Sequence, residues 1–339
     1  MLLSVTGLRT SYRSSQGDIR AVDGVDFSLD AGQVLGIVGE SGCGKTTLGR
    51  TLVRVLDENA HILGGAIWFR GRDLLSLSAE EMRTLRWKDI SLVPQAAMNS
   101  LDPVYRVGDQ FLEVLTIRGG MRRPEARERS VQLSRLVGLD PKRLRSYPHE
   151  LSGGMKQRLV IAMALALHPS LVIADEPVTA LDVIIQHQVM NAFRRAQREL
   201  GLGVILITHD IALVAHFCDM ALVMYAGKVL ERGTIRQVLK SPYHPYTMGL
   251  QRALPRLTVT TSDLVDIPGV PPSLMRPPPG CRFFNRCPFA TTECEEEDPP
   301  AKEPEDGHLV ACWKVDDVEI MRVEAGRVST WQRVIPRHS

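Results

Sequence analysis

The chain has 339 residues, 44% of them hydrophobic and 24% charged, the balance of an ordinary globular protein with room for two domains. A formal net charge of +2 leaves no basic excess to argue for nucleic acid and no acidic tail. The opening residues lack a basic start and a long apolar run, so no export signal is expected; the most apolar stretch, residues 159–174, is broken by His168-Pro169-Ser170 and falls short of the ~20 residues a spanning helix needs.

In chain order, residues 1 to about 95 alternate strand-like runs with turns: "LLSVTGL", "AVDGVDFSL", "VLGIVG", "GAIWFRG" and "ISLVPQ". One helix is predicted after "GCGKTT". Another is predicted from Ser78, which forms an S-x-x-E capping box with Glu81. From about 97 to 167 the pattern is mostly helical, with charged stretches such as residues 122–139. The apolar stretch 159–174 reads as a buried helix, a turn and a buried strand. "SLVIADE" and "GVILITHD" are short β-rich runs after helices, the pattern of a buried parallel sheet. Seven prolines between Pro255 and Pro279 then mark an extended connector. Four of the six cysteines follow, Cys281, Cys287, Cys294 and Cys312, spaced C-x5-C-x6-C-x17-C.

Three motifs carry chemistry. "GESGCGKT", residues 39–46, is G-x-x-x-x-G-K-T between an apolar strand and a helix. Its glycines let backbone amides turn toward phosphate oxygens, and the helix N-terminus adds partial positive charge. Lys45 then reaches the β- and γ-phosphates, and the Thr46 hydroxyl ligates Mg²⁺. The nucleotide contacts are assigned to Gly39, Ser41, Gly42, Cys43, Gly44, Lys45, Thr46 and Thr47, with Cys43 serving through its backbone. Its side chain reads as a spectator; a lowered, alkylatable thiol is the alternative that its place before a helix offers. "LVIADE", residues 171–176, delivers Asp175 and Glu176 to a strand end, Asp175 for the Mg²⁺ shell and Glu176 to polarise the attacking water. "LSGGMKQR", residues 151–158, places Ser152, Gly153 and Gly154 at the start of an apolar helix, a second anion-binding helix start. Two such starts in one chain hint at a nucleotide gripped from two sides.

This ordered set resembles the nucleotide-binding subunit of an ABC transporter, with "GESGCGKT" as Walker A, "LVIADE" as Walker B with its catalytic glutamate, and "LSGGM" as the family signature. The resemblance implies an α/β P-loop ATPase core with a β-rich arm and a helical subdomain. By position, it makes Tyr12 the adenine-stacking aromatic and Gln95 the glutamine sensing Mg²⁺ and the transmembrane partner. Asp182 in "TALD" becomes the D-loop residue, and His209 in "ITHD" the γ-phosphate switch. It implies a head-to-tail dimer in which Ser152, Gly153, Gly154 and Asp182 face the partner subunit's ATP. With Glu176, His209 and Lys45 all present, this half is expected to hydrolyse ATP.

"QAAMNSLDPVYRVGDQ", "SPYHPYTMGLQRALP" and "IPGVPPSLMRPPPGCRFFNRCPFATTEC" narrow the resemblance to ATPase subunits of oligopeptide and dipeptide importers, including nickel-carrying relatives. It implies a second, homologous but non-identical ATPase subunit, two permease subunits, and an extracytoplasmic solute-binding protein. The place implied is peripheral, on the cytoplasmic face of the inner or plasma membrane. The domains are set at 1–255, with a helical subdomain about 97–167, and 256–339 as a small C-terminal cysteine-containing domain. Nickel or another small solute as cargo, and a soluble non-transport ABC ATPase, remain alternatives. For the cysteines, a reducing compartment disfavours disulfides. Four thiolates suit zinc, although the gaps are wider than usual, or an iron–sulfur cluster, or the thiols are simply packed. The resemblance favours a 4Fe–4S cluster. Cys218 is expected in the core.

Overall fold

The computed structural model describes residues 1–95, 97–179, 181–252 and 267–334. They fall into two compact units. The first comprises Met1–Leu3, Ser28–Val34 and Trp68–Ile207, and the second Ser4–Phe27, Leu35–Ile67 and Thr208–Ser339. The expected domain boundary at residue 255 lies outside the described residues.

In the first unit, Ile90–Val93, Leu171–Asp175 and Gly203–Thr208 pair in parallel in that order, Ile90 opposite Leu171 and Leu171 opposite Gly203. Every residue of the last two strands is buried, which is why they read as unbroken apolar runs rather than alternating ones. Helices Val107–Glu113, Arg123–Leu136 and Gly153–Ala164 fill the chain before them, with a π-turn at Val114–Arg118. Helix Val183–Leu200 buries Val189, Met190, Phe193, Ala196 and Gln197, a single stripe at helical spacing. It ends at Gly201, whose φ of 64° closes the last turn. Ser78 caps Ala79–Leu85 as the capping box predicts: its amide donates to Glu81 Oε2 at 2.8 Å, and its hydroxyl accepts from the Glu81 amide.

In the second unit, Val34–Val38 pairs in parallel with Met220–Tyr225. Lys228–Thr234, His308–Ala311 and Ala301–Glu305 follow outward, each antiparallel to its neighbour. Gly17–Leu29, Leu3–Ser14 and Ala60–Phe69 lie side by side in a second sheet. The C-terminal stretch does not close a core of its own. Cys281, Phe283, Cys294, Cys312 and Trp331 are buried in one cluster with Val38, Val223, Tyr225 and Tyr246. With few aliphatic side chains it could bury little alone, so it completes the core of the strands it joins. Residues 267–279, the proline-rich approach to the cysteines, contain no helix or strand.

Candidate nucleotide-binding site and cysteine cluster

The phosphate loop leaves the fully buried strand Val34–Val38 and enters helix Lys45–Leu52. Gly44 caps that helix at φ 104°, and a Cβ there would sit 1.9 Å from the Ala21 carbonyl oxygen, so only glycine fits. No acidic residue occupies the helix's first turn, which suits an anion at its N-terminus. The buried Lys45 donates from Nζ to the Gly39 carbonyl at 2.7 Å and to the Glu40 carbonyl at 2.9 Å. Ser41 and Gly42 are exposed and Thr46 half-buried, while Thr47 is buried with its hydroxyl 3.2 Å from that of Tyr12. Tyr12 is thereby fixed against the helix that starts at Lys45. At Cys43 the alternative of a lowered thiol does not hold. Its thiol is 3% exposed, and burial raises its pKa more than Lys45 lowers it, so it is not an activated nucleophile. Burial outweighs the helix-start effect because the loop turns the side chain inward. His209, also in the second unit, is exposed after strand Gly203–Thr208; the next residue, Asp210, caps helix Ile211–Phe217 through the Ala212 amide at 2.8 Å.

The remaining predicted residues belong to the first unit. Asp175 ends its strand with 3% exposure. Glu176 follows at φ +49°, a left-handed backbone that costs a non-glycine residue about 1 kcal/mol. It is held there by its amide, donating to the Ile207 carbonyl at 2.8 Å, and by its carboxylate, accepting from the Thr179 hydroxyl at 2.7 Å. Such strain at a polar residue is typical of functional sites, and no sequence pattern announces it. Gln95 is exposed just beyond strand Ile90–Val93. Ser152 caps helix Gly153–Ala164, accepting from the Met155 amide at 3.4 Å; Asp182 caps Val183–Leu200, accepting from the Ile185 amide at 2.9 Å. The two helix starts meet, since a Cβ on Gly154 would lie 2.4 Å from Ile185 Cγ2. Sequence reasoning missed Val183 and Ile184, 67% and 71% exposed directly after Asp182; the apolar pair inside "LDVII" was the available signal.

All four C-terminal cysteines are free thiols, and they line one cavity together with Phe283, Phe284, Phe289, Pro299 and Trp313. Burial pushes Cys281 up to about 12, Cys312 to about 11, and Cys287 well above its ordinary value. Opposing this, the amide two residues downstream donates to each sulfur: Phe283 to Cys281, Phe289 to Cys287, Lys314 to Cys312. The Cys281 amide donates to the Cys294 carbonyl at 2.8 Å, tying the first and third cysteines together. Among the described residues, no group of three or more His, Cys, Asp or Glu is arranged to hold a metal ion. Cys218, half-buried, packs at the edge of the same core.

Residues 22–179 match the ABC transporter family, and residues 230–294 match the oligopeptide/dipeptide transporter C-terminal region. The chain is 46% identical over 316 residues to the oligopeptide transport ATP-binding protein OppD of Salmonella typhimurium, covering 93% of this chain and 94% of that protein. It is 45% identical over 318 residues to the dipeptide transport ATP-binding protein DppD of Bacillus subtilis, covering 93% and 95%. Among solved structures, it is similar to a dimeric ATP-binding cassette in a post-hydrolysis state bound to ADP and Pi. That likeness has a TM-score of 0.62 and 25% identity, covering 69% of this chain and 99% of the other.

Proposed function

Because the chain belongs to the ATP-binding subunits of oligopeptide and dipeptide ABC transporters, we propose that it hydrolyses ATP to drive import of di- or oligopeptides through a separate permease. One observation carries this: a single chain joins the ABC cassette to the C-terminal region particular to oligopeptide and dipeptide transporters. We take 1–255 as the nucleotide-binding domain, with 97–167 its helical subdomain, and 256–339 as the appended C-terminal region.

In this reading the amides of residues 39–47 and Lys45 hold the phosphates, and Tyr12 stacks on adenine. Glu176 orients and polarises the attacking water, and His209 contacts the γ-phosphate. Ser152, Gly153, Gly154 and Asp182 complete the ATP site of a second, homologous ATPase subunit. The exposed Val183 and Ile184 beside Asp182 support burial of that face in a dimer. Val104 and Tyr105, exposed in the segment after Gln95, support contact with the permease. The Thr46 hydroxyl, the Asp175 carboxylate and the Gln95 amide oxygen are hard oxygen donors of the kind Mg²⁺ takes; when bound, Mg²⁺ neutralises charge on the phosphates. No helix among the described residues is long and apolar enough to cross a membrane, and attachment at the cytoplasmic face runs through two permease subunits, fed by an extracytoplasmic binding protein.

We further propose that Cys281, Cys287, Cys294 and Cys312 hold a 4Fe–4S cluster. Four thiols lining one cavity, three of them with a downstream amide on the sulfur, match a four-thiolate group in number and type, and binding would have to draw them from their present spacing into a ligating arrangement. Bound there, the cluster would supply a cross-link, and its metal charge would favour the thiolates that burial opposes. Iron, acid-labile sulfide and zinc determined on anaerobically purified protein test this against zinc or bare thiols. The transport reading is tested by reconstitution with the permease and binding protein: peptides should stimulate ATP hydrolysis, and stimulation by nickel alone would transfer the assignment to a metal importer.

A further inference from the structure

Both arginines of the cysteine segment are buried, and Arg286 contacts the phosphate loop directly. Arg286, immediately before Cys287, is 6% exposed and spends every guanidinium nitrogen on a partner. Nη1 donates to the Glu40 carboxylate at 2.7 Å and the Tyr225 hydroxyl at 3.1 Å, Nε to the Pro268 carbonyl at 2.8 Å, and Nη2 to the Ile267 carbonyl at 3.1 Å. Glu40 is the second residue of the loop. Its amide donates to the Tyr246 hydroxyl at 3.0 Å, and its carbonyl accepts from Lys45. Arg282, immediately after Cys281, is linked to the loop only through a neighbour. It donates from Nη1 to the Ala226 carbonyl at 2.6 Å and pairs with Asp23; the adjacent Gly227 donates its amide to the Cys43 carbonyl at 2.9 Å. Between the arginines the chain is stiffened by turns, with Phe284, Arg286 and Cys287 donating their amides to the carbonyls of Cys281, Phe283 and Phe284.

We propose that Arg286 is a positioning residue of the phosphate loop, setting its affinity for ATP. The inference rests on residues 39–46 being the ATP site. Glu40 puts a carboxylate one residue into a loop that must accept phosphates. Arg286 neutralises that charge and holds it away, itself fixed by the Tyr225 hydroxyl and the Ile267 and Pro268 carbonyls. Losing Arg286 therefore leaves the Glu40 carboxylate unpaired beside the nucleotide site, where it opposes the phosphates.

The test is a titration of the full chain with a fluorescent ATP analogue, together with steady-state hydrolysis in the assembled transporter. Arg286→Met should raise the ATP Kd and KM about tenfold while kcat is retained, because the lost interaction concerns binding and not the transition state alone. Adding Glu40→Gln should restore most of the affinity, a rescue that a merely structural arginine would not show. An Arg286→Met variant with wild-type Kd and KM overturns the inference. If that variant does not fold, Arg286→Gln, which also removes the charge, replaces it, and an unchanged KM there overturns it equally. A wild type that binds no nucleotide defeats the ATP reading instead, so the two failures are distinct.

Discussion

The two helix starts at Gly153 and Lys45 both present amides suited to an anion, yet they are built in opposite ways. The first is local. Ser152 accepts from Met155 three residues on, and Asp182, which caps the abutting helix, from Ile185 three residues on. The second is assembled from far away: Ala21 presses on Gly44, Tyr246 holds the Glu40 amide, and Arg286 grips the Glu40 carboxylate from 246 residues distant. A capped helix start keeps its geometry whatever the rest of the chain does. The phosphate loop keeps its geometry only while the second unit's core is intact.

The largest expected effect breaks the chemistry and spares both starts. Glu176→Gln should lower steady-state ATP hydrolysis by a factor on the order of 100 or more while ATP still binds; undiminished hydrolysis would remove Glu176 from its role. Next, Gly44→Ala forces a Cβ to within 1.9 Å of a backbone oxygen at φ 104°, and should abolish ATP binding with a clear fall in Tm, seen by nucleotide titration and thermal melting. An equal change at Gly42, exposed and with nothing within 4 Å of its Cβ position, should cost far less, about 1 kcal/mol from its φ of +79°. A tolerated Gly44→Ala would mean that the loop is not held from afar.

Helix Pro245–Arg252, which supplies Tyr246, offers a pH test of the same dependence. His244 is fully buried, its Nδ1 accepts from the Tyr246 amide at 3.0 Å, and burial pushes its pKa down to about 3. The folded state therefore refuses a proton that the unfolded chain takes near pH 6.5. This group leaves stability unaffected above about pH 6.5 and reduces it as pH falls from there toward about 3, by at most ~1.4 kcal/mol per pH unit. His244→Asn should flatten that slope in denaturant melts between pH 6 and 4, even though the substitution lowers stability at pH 7. Smallest of all, Ser152→Ala and Asp182→Ala should each cost about 1 kcal/mol in thermal melts, with the phosphate loop's ATP affinity in the isolated chain unchanged.

Much of the fold was legible because its signals act over a few residues. The strand–loop–helix at Val34–Leu52, the capping box at Ser78 and the helix–turn–strand across 159–174 all stand in the structure as their local patterns predict. The alternative of an activated Cys43 thiol fails because a helix-start rule says nothing about which way the loop turns a side chain. The four cysteines were legible as a group, but not their place in the core that also holds the phosphate strand, because that packing depends on Phe283 meeting Tyr225 and Tyr246, ring centroids 5.3 and 5.2 Å apart.

By itself, then, the sequence determined the local frame of the proposed nucleotide site, because a strand, a glycine-rich loop and a helix start are written in consecutive letters. Only the tertiary structure decided how that frame is held. The left-handed backbone of Glu176, the inward thiol of Cys43 and the Arg286–Glu40 pair all depend on partners brought together by burial. Contacts between segments hundreds of residues apart leave no periodicity for a reader of the chain to find.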